Sequence, residues 1–159
     1  MRKFTAAVLF LTAACSTMKS DSGLGRSKVK LPDPTVSIKQ ISSVAFAARH
    51  VEGNVPVQYI LTVGNRSKEP ITLKQVNVVS MGYGAYIVDQ TSRPFTALIQ
   101  PDTDSEVEFW VPTHIDDASI VGANGPVTLR LNLQFDSPVG QFQHTVTKQV
   151  NAMPGRTAD

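Results

Sequence analysis

The sequence predicts an all-β protein, a single antiparallel β-sandwich of about seven or eight strands behind an export signal and a polar tether. Three observations lead there. From residue 35 onward, apolar side chains recur at every second position, the period of a half-buried strand. The runs are short and separated by clusters of Gly, Pro, Asn, Asp and Ser, the residues that build tight turns. Spacing in threes and fours, the mark of an amphipathic helix, is nearly absent; only Ile115 to Val121 has room for a helical turn.

The first fourteen residues stand apart. Met1-Arg2-Lys3 is positive, and the eleven residues from Phe4 to Ala14 are apolar apart from Thr5 and Thr12. A helix of that length covers about 16 Å, roughly half of a bilayer's hydrocarbon core, so it reads as a secretory signal and not as a membrane span. Leu11-Thr12-Ala13-Ala14-Cys15 resembles the lipobox of bacterial lipoproteins, with Thr12 where that family usually has an apolar residue. The resemblance implies cleavage before Cys15, a diacylglycerol thioether on Cys15 and acylation of its new amine. Ser16 follows, where sorted lipoproteins retained at the inner membrane carry aspartate; this implies the outer membrane, periplasmic side. Cys15 is the only cysteine, so the exported domain is expected to be held by its core without a disulfide.

Cleavage changes the charge. Removing Arg2 and Lys3 lowers Lys plus Arg from 15 to 13, against 13 Asp plus Glu, and the formal net charge of +2 becomes zero. A neutral exported chain without a basic stripe argues against nucleic acid as a partner. From Cys15 to Pro34, serines and glycines alternate with Lys19, Arg26, Lys28 and Lys30, and no apolar period appears. That stretch reads as a flexible tether whose typical span is roughly 20–25 Å. The sandwich is expected over 35–151, and 152–159 as a disordered tail.

Within the domain, Val36 and Ile38 open one strand, and Val44 and Phe46 continue its phase. Val57, Tyr59, Leu61 and Val63 alternate, with Ile60 interrupting the polar face. Ile71 and Leu73 are in phase, whereas Val76 and Val78 have slipped by one; a β-bulge near Lys74-Gln75 reconciles them. Tyr86 and Val88 form a short piece after the bend Gly82-Tyr83-Gly84, whose glycines suit positive φ. Phe95, Ala97 and Ile99 lead through Pro101-Asp102-Thr103-Asp104-Ser105 to a strand in which Val107, Phe109 and Val111 alternate with Glu106, Glu108 and Trp110. Val127 to Asp136 alternates most cleanly, and Ser137-Pro138-Val139-Gly140 turns it into a last strand with Phe142, Val146 and Val150 inward.

An alternating strand followed by Asn65-Arg66-Ser67 and Pro70-Ile71-Thr72-Leu73 resembles the core motif of the LEA type 2 (water-stress and hypersensitive-response) domain over roughly Val36 to Val111. That resemblance implies an immunoglobulin- or fibronectin-III-like fold. It departs at Arg66, where the family most often has proline, and it carries no functional residue across.

No catalytic apparatus stands out, and an enzyme is not expected. Gly-x-Ser-x-Gly, a zincin helix and a phosphate loop are all missing from the sequence. His114-Ile115-Asp116-Asp117 brings an imidazole and two carboxylates together, but the expected role is a helical turn capped by Thr113, Asp116 or Asp117, not a metal centre. Asp102, Asp104 and Glu106 lack the glycine and the ligand count of a calcium loop. His144 shares its phase with Phe142 and is expected to be structural. No cofactor, metal or small-molecule substrate is predicted. Trp110 shares a face with Glu106 and Glu108, so either the connection from Pro112 to Pro126 covers it, which is the expectation, or it is an exposed aromatic anchor for a partner. With Tyr83 and Tyr86 it forms the candidate partner surface. The function expected is a lipid-anchored, non-enzymatic binding or assembly module recruiting another envelope protein; the alternative is a general stress-protective envelope protein.

Overall fold

Alternation of this kind needs two sheets facing each other, and the computed structural model has them. It describes residues 30–42, 55–115 and 125–152. The expected export signal, Cys15, Val44, Phe46, Asp116, Asp117, most of the expected helical turn and residues 153–159 lie outside the described residues.

Among the described residues, eight strands follow one another: β1 (Thr35–Gln40), β2 (Val55–Asn65), β3 (Ile71–Ser80), β4 (Ile87–Val88), β5 (Thr91–Ile99), β6 (Thr103–His114), β7 (Val127–Ser137) and β8 (Gly140–Val150). They form two four-stranded sheets with orders β1-β2-β6-β4 and β5-β3-β7-β8, and every pairing is antiparallel. The protein is therefore an antiparallel β-sandwich.

The inward rows are those the period selects. Val57, Tyr59, Leu61 and Val63 of β2 face Ile71, Leu73, Val76 and Val78 of β3 and Leu129, Leu131, Leu133 and Phe135 of β7 across one buried core. Phe135 and Phe142 stack at 5.1 Å between ring centroids, which closes the core beside β8.

The slipped phase in β3 is a bulge. Leu73 pairs with Phe135 and Gln75 with Gln134, so Lys74 is the extra residue and the inward set changes parity after it. On the other side the same irregularity sets Gln75 opposite Pro94 of edge strand β5, a place where a residue without an amide hydrogen is tolerated.

Turn chemistry defines one end of the sandwich. Ser137 pairs with Gly140 across the two-residue turn Pro138-Val139, where Gly140 takes φ 120°. A second tight turn runs through Pro101 to Asp102, whose φ of 54° is left-handed, and Thr103 N–H donates to the Gln100 carbonyl at 3.3 Å. Asn65 closes the third. Buried to 1% exposure, it donates through Nδ2 to the carbonyls of Glu69 (2.8 Å) and Ile99 (3.1 Å) and accepts from Ser67 N and Oγ. Its amide is thus fully used. The chain enters β1 at this same end, because Thr35 lies opposite Gly64 and Gly64 opposite Asp104.

The opposite end holds the bend after β3. Gly82 adopts φ 74°, as its residue type allows, and Gly84 passes so close to Pro126 that a side chain would strike that residue's carbonyl. Thr113 is buried within β6, opposite Val55 and Val88.

Candidate partner surface

The outer face of the first sheet is built by parity. Because Phe109 and Val111 point inward, Trp110 and Pro112 point out, in line with Glu108, Glu106 and Asp104. Across the ladder, β2 supplies Pro56 opposite Pro112, Gln58 opposite Trp110, Ile60 opposite Glu108 and Thr62 opposite Glu106. The lower part of this face is polar and internally bonded. Gln58 Nε2 donates to Glu108 at 3.2 Å, Thr62 Oγ1 donates to Glu106 at 3.3 Å, and Arg66 pairs with Asp104 at 2.7 Å. The upper part is apolar.

Trp110 is 56% exposed, so the covered ring expected from the sequence is not what the structure has. What partly screens it is Arg93 of β5, from the other sheet. The guanidinium carbon lies 4.1 Å from the ring centroid, and Nε–H donates to the Trp110 carbonyl at 2.9 Å. This carbonyl is free because β4 is only two residues long and pairs with β6 no further than Thr113 and His114. Arg93 therefore ties the open edge of β6 to the edge of β5 and holds the indole in one orientation. Below it, Phe95 meets Phe109 edge-on at 6.1 Å and fills the side of the sandwich. Pro56, Pro112, Trp110 and residues 90–93 line a shallow groove of about 620 Å³.

The other two expected surface residues part company. Tyr83 is 75% exposed but lies on the bend after β3, outside the Trp110 groove. Tyr86 is 1% exposed, and its placement at a contact surface is corrected: its hydroxyl lies 2.7 Å from that of Tyr59 and donates to Gln40 Oε1 at 2.7 Å. Gln40 in turn donates to the Ser42 carbonyl at 2.5 Å. Burial raises both phenols. Tyr86 is pushed up to about 12, with the bond from Tyr59 pulling slightly the other way, and Tyr59 rises further because Tyr86 also disfavours its charge. Both are neutral donors at physiological pH.

Sequence reasoning missed Arg93, Pro56 and Pro112. Arg93 did leave a signal. It has the parity of Phe95, Ala97 and Ile99, so a cation stands in the inward row of β5 and has to leave the core at the sandwich edge.

Among the described residues, His114 Nδ1 lies 3.3 Å from Asp89, and His144 Nδ1 lies 3.5 Å from Asp33. Among the described residues, no group of three or more His, Cys, Asp or Glu could hold a metal ion. Asp104 and Glu106 are engaged on the sheet face while Asp102 sits in the turn.

No protein-family model matches this chain, and no curated protein does. Solved structures do. A protein named as ApaA from Bordetella pertussis matches with a TM-score of 0.54 at 18% identity, covering 81% of this chain and 99% of that one. A late embryogenesis abundant (LEA) protein solved in solution matches with a TM-score of 0.52 at 16% identity, covering 80% of this chain and 74% of that one. At such identities the likeness is one of fold, and the LEA similarity read around Asn65 and Pro70 is a similarity of sandwiches.

Proposed function

We propose that this chain is an exported lipoprotein, held through acyl chains on Cys15 at the periplasmic side of the outer membrane, whose sandwich is a non-enzymatic binding module for another envelope protein. The anchor reading rests on Leu11-Thr12-Ala13-Ala14-Cys15 behind a positive start and an apolar run. The binding reading rests above all on Trp110, a large ring left open on a sheet face and fixed in orientation by Arg93. Aromatic rings of this kind supply a large contact area at low entropic cost, because few torsions are left to freeze.

The experiment has two arms in intact cells. Labelling with a palmitate analogue is expected to mark the wild-type chain and to be lost in Cys15→Ser. A photocrosslinking residue at Gln58, directly opposite Trp110, is expected to give one defined adduct that Trp110→Ala abolishes. If no reproducible adduct forms and a deletion strain is instead sensitive to drying or osmotic shock, the stress-protective reading replaces the binding one.

A further inference from the structure

The end of the sandwich at which the chain enters β1 carries two exposed aliphatic side chains that the fold does not use. Leu31 is 49% exposed and Val139 is 47% exposed. They come from segments far apart in sequence, the approach to β1 and the turn between β7 and β8, yet both line one groove of about 570 Å³. Neither position requires an apolar residue. Val139 follows Pro138 in a two-residue turn, where polar residues serve as well or better.

The charges at this end nearly cancel. Lys30 and Lys68 stand against Asp33, Glu69 and Asp102, while Arg66 is already tied to Asp104. Long-range attraction to acidic headgroups is therefore not the driving term, and a contact here has to be apolar. The other end also shows apolar surface, at Met81 (46% exposed) and Tyr83 (75% exposed). What distinguishes the two ends is the chain itself. Lys30 stands fifteen positions after Cys15, and at no more than about 3.6 Å per position the chain keeps it within roughly 55 Å of the anchor. A domain on so short a leash meets the bilayer at an effective concentration near the millimolar range, where a shallow apolar contact becomes populated.

We infer that this end is a membrane-seating surface. Leu31 and Val139 dip into the boundary between headgroups and acyl chains of the bilayer that holds Cys15, and Lys30 and Lys68 extend their stems along them to the headgroups. The inference rests on the proposed lipid anchor. Its consequence is orientation. Trp110 stands seven positions along β6 from Thr103, so at about 3.3 Å per position the Trp110 groove stands roughly 23 Å further from the bilayer, facing the aqueous space.

The test uses the full lipidated chain reconstituted into phosphatidylethanolamine–phosphatidylglycerol vesicles containing a spin-labelled lipid. With Cys15 blocked by its thioether, Val139→Cys, Leu31→Cys or Tyr83→Cys provides the single thiol for an environment-sensitive dye. At a depth of about 5–10 Å, dye at 139 or 31 is expected to lose about half of its fluorescence and to keep that quenching in high salt, while dye at 83 is unaffected. Equal quenching at both ends, or none at 139 and 31 in a chain that remains vesicle-bound, overturns the inference and leaves the anchor standing. A chain whose mass shows no acyl addition and which does not enter vesicles overturns the anchor, and the seating surface with it.

Discussion

The hydroxyl of Tyr59 lies 2.7 Å from that of Tyr86, and Tyr86 spends its own proton on Gln40. Tyr59 must therefore be the donor to Tyr86, and the chain of bonds has a direction. That direction makes the two phenols unequal. Tyr86→Phe strands both the Tyr59 hydroxyl and the Gln40 carbonyl, whereas Tyr59→Phe leaves Tyr86 bonded to Gln40. Tyr86→Phe is expected to cost about 1–3 kcal/mol and Tyr59→Phe about 0.5–1.5 kcal/mol. Urea unfolding of the two variants checks the order; equal losses would mean that the network has no such polarity.

The same pair predicts how the domain responds to alkali. Both phenols titrate higher in the folded protein than the usual value of 10, Tyr86 at about 12 and Tyr59 beyond it. Above pH 10 the unfolded chain releases these protons while the folded chain keeps them, so the unfolded state binds fewer and stability falls as pH rises. Their contribution is intact below pH 10 and declines from there through pH 12. Denaturation midpoints between pH 8 and 12 are expected to be flat at first and then to fall. In Tyr59→Phe the fall should be shallower.

Asn65 offers a separate check on the turn between β2 and β3. Its side chain donates to two carbonyls and accepts from two groups of Ser67. Asn65→Ala frees the buried Ile99 carbonyl and is expected to cost about 1–3 kcal/mol. Asn65→Asp is expected to cost more, because it sets a buried carboxylate against the same two carbonyls. Thermal unfolding distinguishes the two, and a tolerated aspartate would show that the turn holds without the amide.

These residues also mark how far the sequence could be read. Period-two alternation gave the inward rows of β2, β6 and β7 because one-residue register changes would turn a whole apolar row to water. The bulge at Lys74 was visible for the same reason, as a break in phase between Leu73 and Val76. Asn65 could be placed in a turn but not seen as the donor to Ile99, thirty-four residues away. Tyr86 was misplaced because a tyrosine beside a glycine bend carries no sign of whether its hydroxyl has a buried partner, and that partner lies across the sandwich in Tyr59. Trp110 needed knowledge of β4. Pairing with β4 stops at Thr113 and leaves the edge of β6 open at Trp110, and neither the length of that strand nor the reach of Arg93 follows from periodicity.

The open edge separates stability from recognition at Trp110. Half of the ring already meets solvent, and its contact with Arg93 is a cation–π pairing worth about 0.5–1 kcal/mol at an exposed site. Trp110→Ala is therefore expected to lower stability by less than about 1 kcal/mol and to leave the sandwich folded. If the ring is the anchor of the partner surface, the same substitution should remove about 2 kcal/mol or more of binding, roughly a thirtyfold loss. Arg93→Ala keeps the ring but releases its orientation, and should weaken binding less than Trp110→Ala while leaving the fold intact. Equilibrium unfolding and crosslink yield at Gln58, measured on the same variants, decide the matter. A Trp110→Ala protein that unfolds would make the indole a packing residue, and one that crosslinks as well as the wild type would move the partner surface elsewhere.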